Sequence, residues 1–79
     1  KPFDKSYLEK NLPSFLVKSI ERMMESWKMV DNGQHDLHWD LKYDDLYSDI
    51  NYSQVEQLIT SEQADYLRKK YLRMGNDDV

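Results

Sequence analysis

Two histidines three residues apart, His35 and His38, with Asp36 and Asp40 beside them, are the one cluster in this chain with the types and spacing of a metal site. Imidazoles at that spacing can share a helix face, and a carboxylate could complete the ligand set. Both histidines sit in or beside a turn at Gly33, and no second paired motif lies elsewhere. Solvated loop polarity is therefore the preferred reading of the cluster. A minor metal-binding or enzymatic role at His35/His38 is kept as an alternative. Asp31-Asn32-Gly33 opens like a calcium loop, but the alternating acids and distal glutamate of that motif are missing.

Other catalytic chemistry has little to stand on. There is no cysteine, so no thiolate nucleophile, disulfide or cysteine-ligated metal. The serines lack a nucleophile-elbow context, and two glycines cannot build a phosphate loop. The expectation is a protein that is not an enzyme and has no metal or other cofactor.

Charge is the stronger signal. Residues 31–51 hold six aspartates (Asp31, Asp36, Asp40, Asp44, Asp45 and Asp49) against Lys42 alone, with Trp39, Tyr43 and Tyr47 among them. The remainder carries nine acids and ten bases, a net +1, so the stretch, at −5, accounts for more than the whole net charge of −4. Aspartate is a mediocre helix former, and like charges four apart cost a few tenths of a kcal/mol per pair. Keeping them is consistent with steering toward a basic partner. An ordinary solvated face, partly paired with bases elsewhere in the fold, is the competing reading. Arg68-Lys69-Lys70-Tyr71-Leu72-Arg73 could touch phosphates, but four bases at a helix C-terminus also complement the helix dipole. With a pI near 5.0, direct nucleic-acid binding is not expected.

The elements that must position these groups are helical. Leu12, Leu16, Ile20, Met23, Trp27 and Val30 fall in an arc of about 80° at helical spacing, flanked by Phe15 and Met24. The spacing predicts a helix over 12–31 that opens with Pro13 as its first helical residue and stops at Asn32-Gly33. Met23, Met24 and Met29 read as core filler. Residues 37–43 alternate like a strand. However, Trp39, Tyr43, Leu46, Tyr47 and Ile50 share a helical arc of about 100° that runs further, and no partner strand is visible. A helix over 39–51 is preferred, with Asp44, Asp45 and Asp49 facing away from its apolar side. Ser53 and Glu56 have capping-box spacing and predict a separate short turn over 53–59. A final helix over 61–74 begins at a Thr60/Gln63 capping box and ends at Gly75. At the start, Phe3, Tyr7 and Leu8 could form one turn capped by Asp4, within an N-terminal arm or short helix over 1–11. Residues 76–79 form a polar tail.

The fold class is thus all-α: one small bundle of three principal helices with one or two short accessory helical turns, spanning 1–79. The longest apolar run, Phe15-Leu16-Val17, is far too short to cross a membrane. A cysteine-free chain fits a cytoplasmic location. Opening on Lys1, it leaves room for a removed targeting segment.

The stretch from Ile59 to Leu72, with Trp39-Asp40 and Leu46-Tyr47-Ser48-Asp49-Ile50-Asn51, resembles small uncharacterised proteins of low-GC Gram-positive bacteria. Several of those sit near mobile genetic elements. The resemblance covers the last half of the chain, implies a bacterial cytoplasmic accessory protein, and brings no catalytic motif with it.

Leu41, Tyr66 and Leu72 fall outside the core arcs, and apolar groups left beside charges suit a partner-binding surface. The expected function is a small acidic protein–protein interaction module, an adaptor or inhibitor. Its candidate residues are Asp40, Leu41, Asp44, Asp45, Asp49 and Tyr66, and its partner is a protein with a basic surface. The alternative in another class is a DNA mimic that occupies a nucleic-acid-binding groove. Oligomeric state is not legible.

Overall fold

The computed structural model describes residues 6–74. They form a 3₁₀ turn over Ser6–Glu9 and three helices: α1 (Ser14–Asp31), α2 (Trp39–Val55) and α3 (Ser61–Tyr71). No strand occurs among the described residues, so the small all-α bundle with a short accessory turn is the observed architecture.

The arc of α1 works as its spacing requires. Leu16, Ile20 and Met23 are buried, and Trp27 packs against the same core. Pro13 sits one position earlier than expected, as the N-cap, with φ −57° and ψ 147°. Its carbonyl accepts the Leu16 and Val17 amides at 3.0 Å each, so the helix starts without a side-chain cap. At the other end Gly33 adopts φ +79°. Gly33 N–H donates to Val30 (3.0 Å) and Gln34 N–H to Met29 (2.8 Å), the paired bonds of a Schellman stop. Of the methionines expected in the core, Met23 is fully buried but Met24 is half exposed.

α2 runs four residues past its expected end. Ser53, predicted to cap a separate turn, is instead fully buried inside the helix, on the side that carries Leu46 and Ile50. Of that turn's apolar residues only Ile59 enters the core, while Val55 and Leu58 stay exposed. The helix stops at a second Schellman pair, Gln57 N–H to Gln54 (3.1 Å) and Leu58 N–H to Ser53 (2.8 Å). Here the left-handed position belongs to Gln57, at φ 63°.

α3 begins with both halves of the predicted capping box, Gln63 N–H to Thr60 Oγ1 (3.0 Å) and Thr60 N–H to Gln63 Oε1 (2.9 Å). It ends at Tyr71, three residues early, with Arg73 left-handed at φ 56°. The predicted stop, Gly75, lies outside the described residues. Ala64, Leu67, Tyr71 and Leu72 close the core over α1 and α2. Leu72, read from its register as a surface group, is in fact buried. The N-terminal turn is drawn onto α3. Leu8 is buried, and Gln63 Nε2 donates to the carbonyls of Leu8 (3.0 Å) and Lys10 (3.3 Å). Tyr7 stays exposed, and Phe3 and Asp4 lie outside the described residues. No helix among the described residues is long and apolar enough to cross a membrane.

Candidate interaction surface

The turn between α1 and α2 is organised around Asp36, whose side chain is almost inaccessible. Its carboxylate accepts the Ser26 hydroxyl from α1, the His38 backbone N–H (2.9 Å) and the Lys42 ammonium of α2 (3.0 Å). These bonds, the serine first, hold its pKa well below the usual carboxylate range. A carboxylate so occupied is a poor metal ligand. His35 and His38 are exposed, and among the described residues no three His, Asp or Glu side chains converge to hold a metal.

The six aspartates divide into two groups. Asp31, Asp36 and Asp49 serve the fold. Asp31 accepts a two-pronged bond from Arg73 (2.9 and 3.2 Å), and Asp49, half-buried, accepts the buried Ser19 hydroxyl of α1. The expectation that Asp49 faces away from the core is corrected: it belongs to the α1–α2 interface. Asp40, Asp44 and Asp45 stay on the exposed side of α2. Asp45 lies 3.6 Å from Arg22, with both side chains more than half exposed, a geometry that contributes little. Asp40 and Asp44 have no ion-pair partner among the described residues.

Apolar groups accompany them. Leu37, in the turn before α2, is 82% exposed, and Leu41, Tyr52 and Val55 on α2 are 61%, 55% and 75% exposed. At 100° per residue, Leu41, Asp44, Ser48, Tyr52 and Val55 share one outward stripe of α2. The aspartates are therefore interleaved with solvent-facing hydrocarbon.

Tyr66 lies elsewhere. It packs against the core, and its hydroxyl donates to Glu9 (2.6 Å), which ties it to the N-terminal turn. The basic end of α3 is largely committed as well. Arg68 donates to Asn51 (2.6 Å), Gln54 (2.8 Å) and Asp65 (3.2 Å), and Lys70 to Glu9 (2.7 Å). Arg73 alone reaches an aspartate of the acidic stretch, Asp31.

One feature of this region has no counterpart in the sequence reading. Trp27 and Trp39 meet edge to face with centroids 5.6 Å apart, and Trp39 also packs on Tyr43 at 5.1 Å. Beside them opens a cleft of about 310 Å³ lined by Trp27, Val30, Leu37 and Trp39 together with His35 and Asp40. Helical spacing placed both tryptophans on core arcs, and only the path of the 32–38 turn brings them to a shared opening. The chain matches no protein-family model, no curated protein and no solved structure.

Proposed function

We propose that this protein is a small, non-catalytic interaction module of bacterial cytoplasm, an adaptor or inhibitor, that docks a basic protein partner on the outward face of α2. The observation that carries this reading is the interleaving of two unpaired aspartates, Asp40 and Asp44, with exposed Leu37, Leu41, Tyr52 and Val55. Charge at such a face sets association rate and partner choice, while the apolar groups supply the desolvated centre that holds a complex together. The same interleaving favours a protein partner over mimicry of DNA, because a nucleic-acid groove gains little from hydrocarbon between the acids.

Capture from lysate on the immobilised chain, with Leu41→Asp and Asp40→Asn/Asp44→Asn variants beside it, tests the reading. A partner retained by the wild type should be lost from Leu41→Asp. The double variant should associate more slowly, most visibly at low salt, because screening limits these charges to about 8 Å at physiological ionic strength. Both variants should stay folded and melt within a few degrees of the wild type, since none of the three side chains is in the core and the charge changes within α2 are each worth only a few tenths of a kcal/mol. Retention of the same partner by both variants refutes the reading.

A further inference from the structure

Trp27 borders two openings, and in one of them an arginine of this protein already covers the indole ring. On that side the Arg73 guanidinium lies 4.1 Å from the Trp27 ring centroid while pairing with Asp31 at 2.9 and 3.2 Å. A planar cation rests on an aromatic surface, and a carboxylate holds its nitrogens. The second opening, the Trp27–Trp39 cleft, has the same parts without the cation. It offers two indoles, hydrocarbon from Val30 and Leu37, and the Asp40 carboxylate, which no described base reaches. Asp36 also lines it, but its oxygens already serve Ser26, His38 and Lys42.

Size and polarity narrow the occupant. At about 310 Å³ the cleft stands at the bottom of the range for small-molecule sites, roughly 300–1,000 Å³, and suits one inserted side chain. Apolar walls with one carboxylate free of internal partners, Asp40, beside the exposed His35 imidazole, match a side chain that has a hydrocarbon stem and a cationic head. Of the two such side chains, arginine is the better fit, because its flat, weakly hydrated guanidinium stacks on indole and still offers donors to a carboxylate. Insertion of one anchoring side chain, often arginine, into a pocket is also how interfaces concentrate their energy.

We infer that the Trp27–Trp39 cleft is the receptor for one arginine side chain of the basic partner, with its guanidinium against the indoles and paired to Asp40. This rests on the α2 face being a docking surface, and it names the chemistry that the partner must present there.

The test uses the full ¹⁵N-labelled chain titrated with a capped tri-arginine peptide at low salt, followed at the two indole N–H signals. The two tryptophans are the only ones in the sequence. Saturable shifts at both indoles and at the Leu37 amide are expected. Asp40→Asn should weaken binding roughly three- to tenfold, as loss of one partly desolvated charge partner does. Val30→Phe, which fills the cleft without touching charge, should abolish it. A tri-citrulline peptide, equal in shape but uncharged, should not bind.

Equal binding of the citrulline peptide, or tighter binding of a tri-leucine peptide, overturns the inference in favour of an apolar occupant. Unchanged affinity in both Asp40→Asn and Val30→Phe overturns it, as do shifts confined to the opening beside Arg73. Indole shifts that grow with protein concentration alone would identify a second copy as the occupant and also overturn it. Loss of a captured partner on Leu41→Asp, with no arginine binding at the cleft, would refute this inference and leave the α2 docking face standing.

Discussion

Removing the Glu9 carboxylate should be among the most damaging single changes outside the apolar core. Glu9 is the polar anchor of the N-terminal turn. Its Oε2 accepts the Tyr66 hydroxyl (2.6 Å) and the Lys70 ammonium (2.7 Å), and its Oε1 accepts the Tyr71 hydroxyl (2.8 Å). Burial alone would push its pKa up, but the bonds from Lys70, Tyr66 and Tyr71 together outweigh it and the pKa is lowered. The partners register the same arrangement: burial first, then the Glu9 bond, raises Tyr71 to about 12. Hydrogen bonds to a charged group contribute about 1.5–3 kcal/mol each, and leaving a buried partner unmet adds a penalty. Lys70 is half exposed, so its ion pair adds little. The two tyrosines share one acceptor group and are not additive, so Glu9→Ala should cost about 3 kcal/mol. A chain of this length has roughly 4–12 kcal/mol in total. At about 4–8 °C per kcal/mol, the melting temperature should fall by about 12–24 °C in a circular-dichroism melt at pH 7. The pH dependence follows from the sign of the shift. A lowered carboxylate pKa stabilises the fold above the unfolded value, 4.5, and that stabilisation disappears as pH falls through the folded value. The gap between wild type and Glu9→Gln should thus be constant from about pH 6 to 8 and close in acid. A Glu9→Ala melt within about 3 °C of wild type would refute the reasoning.

Gln57→Gly should stabilise the chain by about 0.5–1 kcal/mol in urea unfolding, because a glycine carries no Cβ penalty at φ 63°. A loss of stability would show that the Gln57 side chain compensates for its backbone. Ser53→Ala should be neutral or stabilising by about 1 kcal/mol, since the Ser53 hydroxyl is buried with no hydrogen-bond partner among the described residues. Ser19→Ala should instead destabilise by about 1 kcal/mol through the loss of its bond to Asp49, and equal melts for Ser19→Ala and Ser53→Ala would contradict the assignment of Asp49 to the fold.

What the sequence made legible, and what it hid, follows from where each signal resides. Helix faces and the Thr60/Gln63 cap are local patterns, and they reappear in place. The stop at Gly33 is also local, because only glycine takes φ +79° without strain. Gln57 and Arg73 take the same left-handed conformation with no letter to announce it. Local pattern alone therefore makes α2 four residues too short and α3 three residues too long. The cost of roughly 1–2 kcal/mol at such a residue is met by the tertiary packing of Ile59 and by the reach of Arg73 to Asp31 and Trp27. The candidate surface divides along the same line. The aspartates were visible, but which of them serve the fold is decided by Ser19 and Ser26, whose partners lie 30 and 10 residues away. Nothing in a serine's immediate neighbours marks it as a donor to a distant helix.

The two unpaired aspartates are not equivalent. Asp40 sits in the first turn of α2, where a carboxylate is favoured by the helix dipole, so the fold itself has a reason to keep it. Asp44 is one turn further along, beyond most of that field. It stands four residues from Asp40, beside Asp45 and exposed, and gains no partner among the described residues. Repulsion from Asp40 makes it a net cost of a few tenths of a kcal/mol to an isolated chain. Charges at Asp31, Asp36 and Asp49 can be accounted for by arginine, serine and lysine partners inside the molecule, and Asp40 by the dipole. Asp44 has no such account, and its position on the stripe between Leu41 and Ser48 is where an incoming basic surface would meet it. Asp49 therefore lends a docking face on α2 no support, Asp40 is neutral, and Asp44 is the residue that most needs a partner outside the chain.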